Sequence, residues 1–140
     1  MSKIFSLGVM TGTSCDGADL ALLRIDRSRE TLAHTATQSF PAPLRQRLRA
    51  AQAGRLNIPL TAALSRDYSA WLALVCRRML AHKRVPATDV IIAIHGQTVW
   101  HAPERGISVQ LLDPSIVAFQ TGCTVTAAFR QPDLARGGQG

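Results

Sequence analysis

Residues 3–26 read KIFSLGVMTGTSCDGADLALLRID, and the fold turns on them. Lys3–Val9 is mostly apolar and reads as a strand. Ala18–Asp26 (ADLALLRID) reads as a second strand. Between them, Met10–Gly17 (MTGTSCDG) collects Gly, Thr, Ser and Asp, the residue types of a turn. Thr31–Phe40 (TLAHTATQSF) is a weaker third strand after the polar turn Arg27–Glu30. Three successive strands with short connections predict an antiparallel meander.

Pro41 and Pro43 then break the pattern. Leu44–Ala53 is rich in Arg, Gln and Ala and predicts a helix ending near Gly54. From there Leu60, Leu64, Tyr68, Trp71, Leu72, Val75 and Met79 recur at three- and four-residue steps. That stripe predicts an amphipathic helix from Leu60 to His82, with Tyr68 and Trp71 in the core. Asp89–His95 (DVIIAIH) is a continuous apolar run, as a buried parallel strand requires. Ile107–Leu111 predicts another strand. Asp113 caps a helix that has Pro114 at its first position and stops at Gly122. Cys123–Phe129 predicts the last strand. The order is a three-stranded meander, helix, strand, helix, strand. That is α/β with a mixed sheet, the order of a ribonuclease-H-like half-domain. The chain then reaches Gly137–Gly140 (GGQG), which reads as a functional loop cut before its next element.

Composition sets the outer limits. The chain's 140 residues suit one domain, and 46% hydrophobic residues against 18% charged are enough for a core. The longest apolar runs, Trp71–Cys76 and Val90–Ile94, fall far short of the ~18 residues of a membrane span. No apolar segment with a small-residue cleavage site follows Met1, so secretion by that route is not expected. Cys15, Cys76 and Cys123 stand far apart with no Cys-x-x-Cys, which reads as free thiols in a reducing cytoplasm.

The net charge of +7 invites a nucleic-acid reading. Its distribution argues against one. Residues 42–84 hold nine Lys and Arg against Asp67 alone, so the excess belongs to the helical region. No aromatic residues interleave with it as stacking platforms. A solvated helix face is the expectation, with the basic side chains scattered and forming no groove.

Three motifs carry chemistry. The turn Gly12–Asp19 offers two glycines for close backbone approach and the hydroxyls of Thr13 and Ser14. Such a turn can cradle phosphate oxygens with its N–H groups, and Asp16 could hold magnesium through its waters. It is not a Walker loop, which needs Gly-Lys-Ser/Thr opening a helix. His95-Gly96-Gln97-Thr98 lies at the carboxyl end of a buried strand, where open α/β sheets bind ligands. Phe129-Arg130-Gln131-Pro132-Asp133 follows a strand, and Arg130 could grip a carboxylate bidentately.

Taken together these stretches resemble the N-terminal portion of the bacterial anhydro-N-acetylmuramic acid kinase family. The matching segments are Gly8–Asp19, His95–His101 (HGQTVWH), Asp113-Pro114, Thr121-Gly122, Phe129-Arg130, Asp133 and Gly137–Gly140. They keep the family's order and spacing over nearly the whole chain. The resemblance implies one half-domain, residues 1–140, of an actin/hexokinase/Hsp70-type ATPase, with the second half-domain absent. It implies a cytoplasmic sugar kinase of peptidoglycan recycling, in full-length relatives a homodimer. That enzyme uses ATP and magnesium to open 1,6-anhydro-N-acetylmuramic acid with water and phosphorylate its 6-hydroxyl. By the same resemblance Gly12, Thr13, Ser14, Cys15, Asp16, Gly17, Ala18 and Asp19 form the ATP phosphate loop. His95, Gln97, Thr98, Arg130 and Asp133 lie at the sugar pocket. The general base and the adenosine-binding part are expected beyond residue 140. Against the family pattern, Cys15 stands where Leu is usual, Leu112 where Gly is usual, and Ala128 where an acidic residue is usual. The rival readings are a non-catalytic nucleotide-, sugar- or partner-binding module and, behind it, a basic nucleic-acid binder. Neither a membrane nor a nucleic acid is expected as a partner.

Overall fold

A computed structural model describes residues 4–26 and 29–140. Strands β1 (Ile4–Thr11), β2 (Gly17–Asp26) and β3 (Arg29–Ser39) form the antiparallel meander. Helices α1 (Ala42–Gln52) and α2 (Ile58–Lys83) follow, and the chain returns through β4 (Val90–Ile94), which pairs with β1 in parallel. A separate hairpin, β5 (Gln97–Ala102) and β6 (Ile107–Leu111), leads into α3 (Pro114–Thr121). Strand β7 (Thr124–Thr126) then pairs in parallel with β4, and α4 (Gln131–Ala135) lies near the end of the chain. The sheet order β3-β2-β1-β4-β7 is the ribonuclease-H-like order with its mixed directions.

The core lies on one face of this sheet. Leu7 and Val9 of β1, Leu20 and Leu22 of β2, and Ile92 and Ile94 of β4 are all buried. They share a cluster with Leu48 of α1, Leu64, Tyr68 and Leu72 of α2, and Val117 of α3. Because side chains alternate along a strand, Gly8, Met10, Asp19, Ala21, Ile91 and Ala93 belong to the opposite face. Ile4, Met10 and Ile91 of that face remain exposed.

The α2 stripe packs mostly as its spacing predicts: Leu64, Tyr68, Leu72, Val75 and Met79 are buried. Leu60, in the first turn, is exposed, because it lies beyond the edge of the core. Trp71 packs against Phe40 with the rings tilted by 55° and their centroids 4.7 Å apart. Several boundaries differ from the pattern's suggestion. Both helices start earlier, with Pro43 and Pro59 inside their first turns, where a missing N–H costs nothing. Asn57 caps α2 by accepting from the Leu60 N–H at 3.0 Å. Cys123–Phe129 yields only the three-residue β7, since Ala128 takes a positive φ of 65° and ends the extended run. Lys3 and the Arg27–Ser28 part of the second turn lie outside the described residues.

The basic residues of α1 and α2 are spread over their solvent faces, and some are paired. Arg47 Nη1 reaches Asp67 at 2.8 Å, joining α1 to α2, and Arg66 Nη2 reaches the same carboxylate at 2.9 Å. The Arg47 hydrogen bond first, then that of Arg66, hold the Asp67 carboxyl below the usual carboxylate range.

A buried chain of hydroxyls joins three elements. Thr11 Oγ1 donates to the Gly96 carbonyl at 3.1 Å, which leaves its lone pair to accept from the Tyr68 hydroxyl, also at 3.1 Å. Burial pushes the Tyr68 hydroxyl's pKa well above its ordinary value, so it stays a donor.

Two outcomes are expected. Thr11→Val strands the buried Tyr68 hydroxyl, while the Gly96 carbonyl keeps its bond from His95, so the unfolding free energy from denaturant titration drops by about 1–3 kcal/mol, against about 1 kcal/mol for Tyr68→Phe. Asp67→Asn lowers thermal stability by less than about 1 kcal/mol at neutral pH, as a half-exposed ion pair should. A depressed carboxyl stabilises above its unfolded pKa and stops doing so as pH falls through the folded one. The difference between Asp67→Asn and the parent therefore closes below about pH 4; a gap that persists there sinks the ion-pair account.

Candidate active site

Parallel pairing of β1 with β4 puts the segments after both strands side by side at their carboxyl ends. After β1 comes a five-residue turn, 12–16, rather than the longer Met10–Gly17 turn of the sequence pattern. Met10 and Thr11 stay in β1 and Gly17 opens β2, because β1–β2 pairing extends to Thr11↔Ala18. The turn closes with Cys15 N–H donating to Gly12 O at 3.2 Å, and Phe40 N–H donates to Asp16 O at 3.0 Å. Cys15 adopts a positive φ of 55° and buries its side chain completely. Burial raises its thiol above the ordinary value despite Arg49 nearby, so it packs as a neutral group.

Thr13, Ser14 and Asp16 are exposed, and Asp16 keeps a loose pair with Arg49 Nη2 at 3.6 Å. Gly17 is required where it stands: a Cβ there would lie 2.3 Å from the Gln38 carbonyl oxygen of β3. Ala18 points into the core and can contribute only backbone. Asp19 points to the other face and accepts from the Thr37 hydroxyl at 2.6 Å.

The residues after β4 form two groups. His95 is half-buried. Its Nδ1 lies 3.0 Å from the Gly96 carbonyl and its Nε2 2.5 Å from Arg130 Nε. An arginine nitrogen can only donate, so Nε2 carries the lone pair and Nδ1 the proton. His95 is therefore neutral and aims the Arg130 guanidinium. Arg130 Nη1 also sits 3.4 Å from His101 Nδ1, and Gly140 lies against its aliphatic stem. With Nε engaged, the terminal nitrogens are the edge left for a carboxylate.

Gln97 and Thr98 are not free loop residues: they begin β5, a strand the apolar pattern did not signal. Gln97 is fully buried and its Nε2 donates to Gly12 O at 3.0 Å, so it faces the 12–16 turn. The Thr98 carbonyl accepts from Gln52, and its hydroxyl lies 3.4 Å from Gln110 Nε2. Asp133 lies on α4, exposed, with one oxygen accepting from the Gly140 N–H at 2.7 Å. It thus closes the Gly-rich segment back over Arg130.

His95 walls two cavities. One, of about 490 Å³, opens on the helix-free face between Met10, Asp19, Ala93 and Phe129. The other, of about 140 Å³, lies among Gln110, Leu112, Ala128 and Gln131. Among the described residues no three His, Cys, Asp or Glu side chains group to hold a metal ion. Magnesium that keeps most of its water and shares phosphate oxygens needs only one carboxylate, and exposed Asp16 meets that requirement. The sequence did not single out Gln52, Arg49, Gln110 or His101. His101 lies inside a quoted motif, but the others face the site only through tertiary packing.

The profile of the family described as anhydro-N-acetylmuramic acid kinase matches residues 4–140. The chain belongs to that family. It is 39% identical over 145 residues to the anhydro-N-acetylmuramic acid kinase of Shewanella oneidensis, covering all of this chain and 39% of the relative. To the enzyme of that name from Nitrosomonas europaea it is 37% identical over 141 residues, covering 98% of this chain and again 39% of the relative. The chain thus spans about two fifths of the length of the curated relatives it matches. A solved Ppx/GppA family member from Aquifex aeolicus aligns with a TM-score of 0.44 at 10% identity, over 91% of this chain and 35% of its own.

The tautomer is directly testable. Ring nitrogen shifts in NMR should show His95 protonated at Nδ1 and bare at Nε2. Arg130→Ala should shift the Nε2 resonance, which loses its donor, while Nδ1 stays protonated against the Gly96 carbonyl. A protonated Nε2 in the parent chain is incompatible with the His95–Arg130 bond.

Proposed function

We propose that this chain supplies the phosphate loop and part of the sugar pocket of an ATP-dependent kinase. Its substrate would be 1,6-anhydro-N-acetylmuramic acid, a sugar of peptidoglycan recycling in the cytoplasm. The observation that carries the reading is the pairing of the two loops. An exposed Gly-Thr-Ser turn lies at the end of β1, and a neutral histidine orients an arginine at the end of β4. Family membership supports the same chemistry.

In this reading the N–H groups and hydroxyls of Thr13 and Ser14 take phosphate oxygens of ATP. Asp16 turns from Arg49 to the waters of a magnesium ion, whose chemistry when bound is to neutralise phosphate charge. Arg130, aimed by His95, grips the lactyl carboxylate through its terminal nitrogens. Thr98 and Asp133 border the sugar, while Gln97 contributes through the turn it holds. Ala128 adds no charge beside Arg130, where an acidic residue is usual in the family. None of these residues is placed to activate the water that opens the anhydro ring, and that base would come from a second half-domain. A homodimer would belong to the full-length enzyme. Apart from Arg49, the basic side chains of α1 and α2 have no part in this reading, which includes neither nucleic acid nor membrane as a partner.

Calorimetry should find ATP·Mg binding weakened by Asp16→Ala. Binding of the anhydro sugar should weaken about 10-fold or more in Arg130→Lys, which keeps the charge but loses the fork. The 140-residue chain, given ATP, magnesium and the anhydro sugar, should form no 6-phosphate product. Preorganised groups are worth about 10²–10³ in rate apiece, and several are missing together. Turnover at an ordinary sugar-kinase rate, abolished by Asp16→Ala, would show that the chain is catalytically complete.

A further inference from the structure

Three successive carbonyls of the 12–16 turn are held by side chains from other elements. Gln97 Nε2, at the start of β5, donates to Gly12 O at 3.0 Å. Gln52 Nε2, at the end of α1, donates to Thr13 O at 3.0 Å and to Thr98 O at 3.2 Å. Arg49 Nη2 reaches Ser14 O at 3.4 Å. Arg49 and Gln52 are three residues apart, so one face of α1 presents both.

A trans peptide is planar, with its C=O and N–H on opposite sides. No cis bond occurs among the described residues. Fixing the Gly12 carbonyl therefore fixes the direction of the Thr13 N–H, and fixing the Thr13 carbonyl fixes that of the Ser14 N–H. Both N–H groups point away from the glutamines. The amide orientations are also determined. A flipped Gln97 would set its oxygen against two carbonyls, Gly12 O and Thr98 O, since Nε2 lies near both. A flipped Gln52 would face Thr13 O and Thr98 O in the same way.

We infer that Gln52 and Gln97 are positioning residues of the turn, holding the Thr13 and Ser14 N–H groups in the direction an incoming phosphate needs. This rests on the turn being the phosphate site. It adds that the site's order comes from α1 and β5 and not from the turn's own sequence. Gln52 has a second consequence. By bonding Thr13 and Thr98 with one amide it joins the turn to the strand that borders the sugar side, so the two shift together.

The test uses the whole 140-residue chain. Gln52→Met keeps length and neutrality but has no donor. Amide exchange at Cys15, whose N–H closes the turn, should quicken about 10-fold, as loss of two modest hydrogen bonds implies, while β1 and β2 amides keep their rates. The dissociation constant for ATP·Mg should rise by a similar factor. Gln52→Lys, which restores a donor, should return the Cys15 exchange toward the parent rate. Unchanged Cys15 exchange in Gln52→Met overturns the positioning role, whether or not ATP binds. So does parent-like ATP·Mg affinity in a variant whose fold is intact. A parent chain that binds neither ATP·Mg nor tripolyphosphate, which needs no adenosine site, yet whose Cys15 exchange responds to Gln52→Met and recovers in Gln52→Lys, removes the phosphate reading and leaves the tether standing.

Discussion

The hydroxyl chain from Tyr68 through Thr11 to Gly96 is the joint on which the site is built. It closes over the carboxyl ends of β1 and β4 and fixes where each strand gives way to its turn. Tyr68 brings α2 to that point and Phe40 packs near its ring, so the core reaches the site without a gap. A water-filled joint would let the two turns drift independently. A buried, fully paired one does not, because separating its members would leave desolvated polar groups without partners.

From that joint the two turns diverge in how they are ordered. The turn after β4 is ordered by its own neighbours. Gly96 has a positive φ of 84°, and a Cβ there would come within 3.0 Å of the Leu111 carbonyl. His95 then bonds the same Gly96 carbonyl and reaches across to Arg130. The turn after β1 is ordered from outside, by Gln52, Arg49 and Gln97. One turn is therefore a rigid support for a cationic side chain, and the other is a backbone surface whose free side is N–H.

Much of this was legible in the sequence, for identifiable reasons. The meander follows from apolar runs separated by a Gly- and Asp-rich turn, and α2 from a stripe with helical period. The capped start of α3 at Asp113-Pro114 and its stop at Gly122 are local chemistry and appear where that chemistry puts them. Strand β5 was hidden because Gln97–Ala102 (QTVWHA) mixes buried Gln97 and Thr98 with exposed Trp100 and His101, leaving no clean alternation. Helix α4 was hidden because five residues give too little pattern to read. The site divides the same way. His95 and Arg130 were recognisable as residue types at strand ends, but their mutual bond spans 35 positions. Gln52 looks like any polar residue ending a helix, and only packing of α1 against β5 and the turn gives it a role.

Backbone strain marks the same two places. Among the described residues three non-glycines have positive φ: Cys15, Arg84 and Ala128. Arg84 ends α2 in a left-handed cap and is repaid by helix-closing bonds to Ala81 and Leu80. Cys15 and Ala128 end no helix. They sit in the turn after β1 and two residues before Arg130, each at a cost of about 1–2 kcal/mol for an L-residue. Cys15 offsets that cost by burying its side chain completely, which a glycine could not do. The left-handed step also turns the chain so that Cys15 faces inward while Ser14 and Asp16 on either side face out. Ala128 is exposed and has no such compensation of its own. What holds it is the geometry on either side, β7 paired to β4 before it and Arg130 bonded to His95 after it. The small methyl is tolerated there because it meets solvent. The chain needs that abrupt turn to bring Arg130 back over the end of β4, where His95 can reach it.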